Sequence, residues 1–437
     1  MFWPRGLCTQ SLSSGQIKVY FNQGIDLGVA NGLQPDGDSF ADVLSETIAR
    51  IDAAQQTLDV AMYNNNRYDL TAALTAAHNR GVRVRYIAAA ATNNSALDAP
   101  PPFPVLYGND LALMHHKFLI ADAGLPNQAW VMSGSLNWTT ANMTYDYNNT
   151  LFIQDQSLAR AYELEFEEMW GSSGTLPDPL NSRFGAAKTD NTPHYFLIGG
   201  KPVESWFSPS DQVTQRIVER IESADHQASF CIFSFTKNEI GNAYIKAHDG
   251  GVWVRGIMEN INDPGAELDW LVENGVPVVP HPAGSLMHHK YAVVDAGYPA
   301  ADPLVLTGSH NWTNAAENSN DENTLVIHDP DLALLYQAEF ERRWTETTTA
   351  TADVSKPVIR IYPNPAVDAL FIQFAPEENR DITAIISDGQ GRVCFSGQLN
   401  FPGVARLPLG SLPAGSYFLP LTSDRGHTTI PFQTLPH

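Results

Sequence analysis

Residues 40–54, "FADVLSETIARIDAA", carry apolar side chains at helical spacing and predict an amphipathic helix. The β-rich "TLDVAMY" that follows predicts a strand, residues 69–79 a second helix, and "GVRVRYI" the next strand. Such alternation implies a mixed or parallel sheet flanked by helices. The whole pattern then returns. "LDVAMYNNNRYDLTAALTAAHNRGVRVRYI" aligns with "ASFCIFSFTKNEIGNAYIKAHDGGVWVRGI", "MHHKFLIADAG" with "MHHKYAVVDAG", "SGSLNWT" with "TGSHNWT", and "ELEFEEMW" with "QAEFERRW". The order is kept and the offset stays between 170 and 174 residues, which marks a duplicated unit.

Two α/β domains are therefore expected, at 17–172 and 201–347, packed side by side about a pseudo-twofold. Residues 172–200, rich in Gly, Pro, Ser and Asn, read as the linker between them. From residue 357 the texture changes to short alternating strands separated by Gly and Pro turns, as in "DITAIISDGQGRVCFSG". That pattern predicts a third domain, a small all-β sandwich at 357–437.

The chain of 437 residues is too long for one ordinary domain and suits two or three. Its net charge of −22 repels polyanions at long range, which disfavours a broad nucleic-acid or anionic-membrane surface. Cys8, Cys231 and Cys394 lie far apart and form neither a metal-ligand spacing nor a disulfide framework. No stretch approaches the ~18 apolar residues of a membrane span. The start, "MFWPRGLCTQSLSSGQ", lacks the long apolar run of a signal peptide.

The repeated "MHHK" carries the chemistry. Read as a strand, it puts His115 and Lys117 on one face and Met114, His116 and Phe118 on the other. The same parity pairs His288 with Lys290. Across a twofold, two imidazoles and two ammonium groups converge, a set suited to a phosphodiester. One imidazole can attack phosphorus while the other protonates the leaving oxygen, and then activates water. This chemistry requires no metal and no other cofactor. Ser135, Asn137, Ser309 and Asn311, in "GSLN" and "GSHN", are candidates for further phosphate contacts. Asp122 and Asp295 fall on the opposite strand face, which predicts a structural role, pinning the halves together. Glu322 is the candidate orienting partner of His288. The residue aligned with it is Asn148, and Asp146 on the same face is the first-copy candidate. His116 and His289 are expected to support or pack, Trp138 and Trp312 to lie in cores, and "RVR" (83–85) to expose two arginines.

H-x-K-x4-D followed by G-S-x-N, present twice, resembles the phospholipase D superfamily over roughly residues 17–347. The resemblance implies two phospholipase D-like sandwich domains around a pseudo-twofold and a phosphohistidine mechanism. Its catalytic set comprises His115, Lys117, Asp122, His288, Lys290 and Asp295, with His115 as nucleophile and His288 as acid. The C-terminal "YPNPAVDAL…ISDGQGRVCFSG…LPAGSYFL" resembles the sorting domain of the type IX secretion system, which implies secretion or display at a bacterial cell surface. The expected substrate is a phospholipid headgroup diester, with nucleic acid as the alternative and a non-catalytic phosphate-binding module as the third reading. A duplicated chain can complete its own site as a monomer.

Overall fold

In the computed structural model, each of the two copies is a mixed sheet with helices on its faces. The structure describes residues 9–10, 15–109, 111–353 and 360–435, apart from 363–365, 374–378, 389–391, 403, 411 and 424–425. Cys8 lies outside the described residues.

After a short β1 (Thr9–Gln10), the first copy runs β2 (Gln16–Phe21), α1 (Phe40–Ala53), β3 (Thr57–Met62), α2 (Tyr68–Asn79), β4 (Arg83–Ala89) and β5 (Val105–Gly108). It continues with β6 (Lys117–Ala121), β7 (Trp130–Gly134), α3 (Thr140–Thr144), β8 (Asn149–Gln154) and α4 (Gln156–Trp170). Its sheet has the order β2-β8-β7-β6-β3-β4-β5, with β3, β4 and β5 parallel.

The second copy begins with β9 (Tyr195–Ile198), β10 (Lys201–Ser208), α5 (Val213–Ile221), β11 (Gln227–Ser234) and α6 (Asn238–Asp249). Next come β12 (Trp253–Asn260), α7 (Leu268–Glu273), β13 (Val278–Pro280), β14 (Lys290–Val294) and β15 (Leu304–Gly308). It ends with α8 (Asn314–Asn318), β16 (Glu322–His328) and α9 (Pro330–Asp353). The order β10-β16-β15-β14-β11-β12-β13 repeats the first sheet strand for strand, with β9 and β1 added beyond β10.

Helix starts follow from local chemistry. Ser39 caps α1 through the Asp42 amide, and Asp155 caps α4 through the Leu158 amide. Gly171 ends α4 with φ of 79°, where a Cβ would sit 2.1 Å from the Asp178 carbonyl oxygen.

Apolar faces of both sheets meet in one central core that joins Val131, Ile153 and Phe166 of the first copy to Val305, Ile327 and Phe340 of the second. Two outer cores lie on the other faces, one around Trp138 and the other around Trp312, as the pattern predicted. The central core makes residues 1–347 a single unit.

Residues 348–437 form the other unit. There β17 (Arg360–Tyr362), β18 (Ala369–Gln373) and β21 (Val404–Pro408) make one sheet. The other comprises β19 (Asn379–Asp388), β20 (Val393–Pro402), β22 (Gly415–Ser423) and β23 (Gly426–Thr434). Leu370, Ile372 and Leu407 of the first share a core with Ile386, Leu419 and Phe432 of the second.

One expectation is corrected here. Arg85 is fully buried rather than exposed, because Asp59 stands directly opposite it on β3 and accepts from Nε at 2.6 Å and from Nη2 at 2.9 Å. A lone carboxylate inside the apolar "TLDVAMY" needs a buried cation, and that need was readable. The linker also contributes a buried side chain, Lys188, which pairs with Glu165 of the first copy and Asp321 of the second.

Candidate active site

Both "MHHK" segments meet the opposite copy by backbone pairing just before their strands begin. His115 N–H donates to the Asp321 carbonyl at 2.9 Å, and Asp321 N–H to the Leu113 carbonyl at 2.8 Å. By the same geometry, His288 N–H donates to the Tyr147 carbonyl at 3.0 Å and Tyr147 N–H to the Leu286 carbonyl at 2.8 Å. Lys117 Nζ then donates to the His115 carbonyl at 2.7 Å, and Lys290 Nζ to the His288 carbonyl at 2.8 Å. Each ammonium is aimed by one bond and keeps two donors. Aromatic edges fix the imidazoles: Tyr63 lies 4.7 Å from His115 and Phe233 4.9 Å from His288, centroid to centroid.

The orienting partners cross the twofold. His115 Nδ1–H donates to Glu322 Oε2 at 2.7 Å, and His288 Nδ1 meets Asn148 Oδ1 at 2.9 Å. The expectation that Glu322 serves His288 is therefore corrected, because the start of β16 faces the opposite copy's motif. Asp146 orients no histidine. Its carboxylate accepts from Asn142 Nδ2 at 2.6 Å and from Leu286 N–H at 3.0 Å, which holds the turn before β8. Asn148 is locked in one orientation, with Nδ2 donating to the Asn142 carbonyl at 3.0 Å. Its Oδ1 thus faces His288, which carries the proton on Nδ1 and leaves Nε2 for chemistry. His115, bonded through Nδ1 to a carboxylate, likewise presents Nε2.

Ser135 and Ser309 are fully buried and bonded to protein rather than open to a phosphate. Ser135 Oγ donates to Asn148 Oδ1 at 2.9 Å, and Ser309 Oγ accepts the Asn323 amide at 3.0 Å. Asn137 Nδ2 is taken by Asn142 Oδ1 at 2.8 Å, whereas the side-chain oxygens of Asn137 and Asn311 have no hydrogen-bond partner. The motif glycines let adjacent strands touch: a Cβ at Gly134 would lie 2.3 Å from the Asn149 carbonyl oxygen, and one at Gly308 2.1 Å from that of Asn323.

Asp122 and Asp295 stand apart from the His–Lys cluster, as parity predicted, but they do not pin the halves together. Asp122 accepts the amides of Gln55, Gln56 and Thr57 at 2.7–3.0 Å, and Asp295 those of Asp225, His226 and Gln227 at 2.7–2.9 Å. Each clamps a corner within its own copy, so membership of the catalytic set implied by the motif is corrected to a structural role.

Behind the motif, His116 Nε2–H donates to Glu165 at 2.8 Å while Nδ1 accepts from Asn323 Nδ2 at 3.3 Å. His289 repeats this with Glu339 at 3.0 Å and Asn149 Nδ2 at 3.1 Å. These four partners were not singled out from the sequence. The available signal was an identical Glu on the apolar face of "ELEFEEMW" and "QAEFERRW", and an identical Asn in both "NT" pairs.

Four groups capable of positive charge share this buried space with one carboxylate beside them. Burial depresses the His115 imidazole to about 4, against the pull of Glu322 and with help from Lys117. His288 is pushed well down by burial and by Lys290 and Lys117. Burial brings the Lys117 ammonium to about 7, and burial together with Lys117 lowers Lys290 strongly. Glu322 moves the other way: burial opposes its charge, but His115 and Lys117 hold it down to about 2. An anion placed here relieves every one of these cations at once.

A family model described as "Cardiolipin synthase, PLD-like domain" matches residues 47–170 and 217–344, more than half of the chain. A second, "Secretion system C-terminal sorting domain", matches residues 360–432. A mitochondrial cardiolipin hydrolase of Xenopus laevis is 36% identical over 144 residues, which cover 32% of this chain and 66% of that protein. The Chlamydomonas reinhardtii protein of the same name is 31% identical over 140 residues, covering 32% of this chain and 60% of its own. The chain thus spans a little under two thirds of the length of these relatives. The solved phosphatidylserine synthase of Haemophilus influenzae superposes with a TM-score of 0.52 at 16% identity, over 70% of this chain and 85% of its own, a likeness of fold. The chain belongs to the phospholipase D-like family, with two copies of that domain followed by a secretion-system sorting domain.

Proposed function

We propose that the protein is a secreted phosphodiesterase that hydrolyses a phospholipid headgroup diester through a phosphohistidine. One observation carries the reading. Two histidines tied through Nδ1 across the twofold leave Nε2 free, beside two lysines aimed by the preceding carbonyls.

His115 Nε2 attacks phosphorus and the bond to the leaving oxygen breaks. The Nδ1–H···Glu322 bond stabilises the positive charge that the imidazole acquires. His288 Nε2–H gives its proton to the departing alkoxide, then takes one from water as that water attacks phosphorus. The P–N bond breaks, and a phosphate monoester and free His115 result. Lys117 and Lys290 neutralise charge on the non-bridging oxygens. His288 suits the acid role because its partner is a neutral amide, which leaves its imidazolium more acidic than one held by a carboxylate.

The names of the curated relatives support a lipid diester, and the net charge of −22 weighs against a nucleic-acid groove. The sorting domain supports export to the cell surface or beyond. A chain with both copies needs no second chain to complete the site, which supports a monomer. Purified protein with phosphatidylcholine vesicles in EDTA tests the reading. Choline release that disappears in His115→Ala is expected; intact protein that releases none overturns the lipid substrate.

A further inference from the structure

The two copies neutralise the same buried carboxylate in different ways. In the second copy Glu339, partner of His289, lies 3.4 Å from Arg343 four residues along α9. In the first, the position four residues after Glu165 is Met169, and the cation comes from the linker instead. The Lys188 side chain is fully buried, pairs with Glu165 and lies 3.3 Å from Asp321 Oδ1. Its segment is fixed by Gly185 N–H donating to that same Asp321 oxygen at 2.7 Å. Asp321 in turn presents the carbonyl that holds His115 N–H, and it directly precedes Glu322.

We infer that Lys188, in the linker between the repeats, is a positioning residue for the His115 half of the site. It acts by holding His116 neutral between Glu165 and Asn323. The inference rests on the phosphodiesterase reading for its kinetic consequences, but its structural content stands apart from it.

A neutral His116 donates from Nε2 and accepts at Nδ1. If the ring gains a second proton, Nδ1–H confronts the Asn323 Nδ2 donor, and that bond is lost. Because His116 lies between His115 and Lys117, its clamp sets where both of their side chains project. The groups acting on its charge are Glu165 on α4, Lys188 in the linker, Asp321 and Glu322 at the start of β16, and Lys117 beside it. Lys188 is the largest of these influences after burial, and it opposes protonation. With Lys188 removed, only burial and Lys117 still oppose the carboxylates, and the balance shifts toward the doubly protonated ring.

Lys188→Met is expected to lower kcat roughly 10- to 100-fold with little change in KM, the scale seen when orienting partners of histidine are removed. The loss deepens as pH falls, so the acidic limb of the profile moves to higher pH. Lys188→Met combined with Glu165→Gln removes one charge of each sign and is expected to recover most of the rate, as Lys188→Arg is. The second readout needs no turnover. Nitrogen-15 histidine spectra of full-length protein should show His116 neutral across the folded pH range, and titrating in Lys188→Met. Folded Lys188→Met protein whose His116 stays neutral, or whose rate and pH profile match the parent, overturns the inference. So does a double variant no faster than the single. A parent that cleaves no diester sinks the functional reading alone, and the spectra still decide the role of Lys188.

Discussion

The two halves of the site share a scaffold and differ most tellingly in the partner of each reacting ring. His115 faces a carboxylate across the twofold, and His288 faces an amide. Strand order, the lysine–carbonyl anchors, the Asp corner clamps and the rear His–Glu–Asn clamps are all duplicated. Duplication supplied the geometry, and the Glu322–Asn148 difference gives the copies unequal basicity. A charged partner strengthens a nucleophile and steadies its cationic adduct; a neutral partner leaves a better proton donor.

The largest break in this comparison is removal of the rings. His115→Ala is expected to lose about 10⁴-fold or more in kcat. His288→Ala should lose much less with a p-nitrophenyl leaving group, which departs without a proton, than with choline. Steady-state kinetics on both substrates checks this, and equal losses would contradict unequal roles. Next is Glu322→Gln, which keeps an acceptor but removes the charge, with an expected fall of roughly 100-fold in kcat.

Asn148→Asp sharpens the comparison by making the halves alike. A carboxylate beside His288 raises its pKa, so the ring stays protonated to higher pH. The alkaline limb of kcat/KM should therefore move up by about one unit. A profile that moves down or stays put would assign the acid elsewhere. The smallest effect on rate belongs to the corner clamps. Asp122→Ala orphans three backbone amides and should cost about 3 kcal/mol in urea unfolding, with kcat unchanged in the folded protein.

Much of this was legible in the sequence. The repeat gave two like sheets, strand parity set His115 and Lys117 apart from His116, and the third domain followed from its turns. What escaped depends on contacts between distant segments. Glu322 was visible as an orienting acid, but a one-dimensional register assigns it to its own copy, whereas the twofold assigns it to the other. Lys188 sits in a stretch of turn formers, and nothing local marks a buried ammonium there. Arg85 was misread because period two alone assigns an arginine to a wet face. The counter-evidence, Asp59, is 26 residues away and becomes its neighbour only through the parallel pairing of β3 and β4.

The most direct test of the division of labour is to find the covalent intermediate. Protein quenched during turnover of a diester carrying radioactive phosphorus should yield an acid-labile, base-stable phosphohistidine. Digestion should place the label on the peptide reading "MHHKFLIAD", at His115, and His288→Ala should accumulate it. Label on "MHHKYAVVD", or active turnover with no phosphohistidine, would contradict the account.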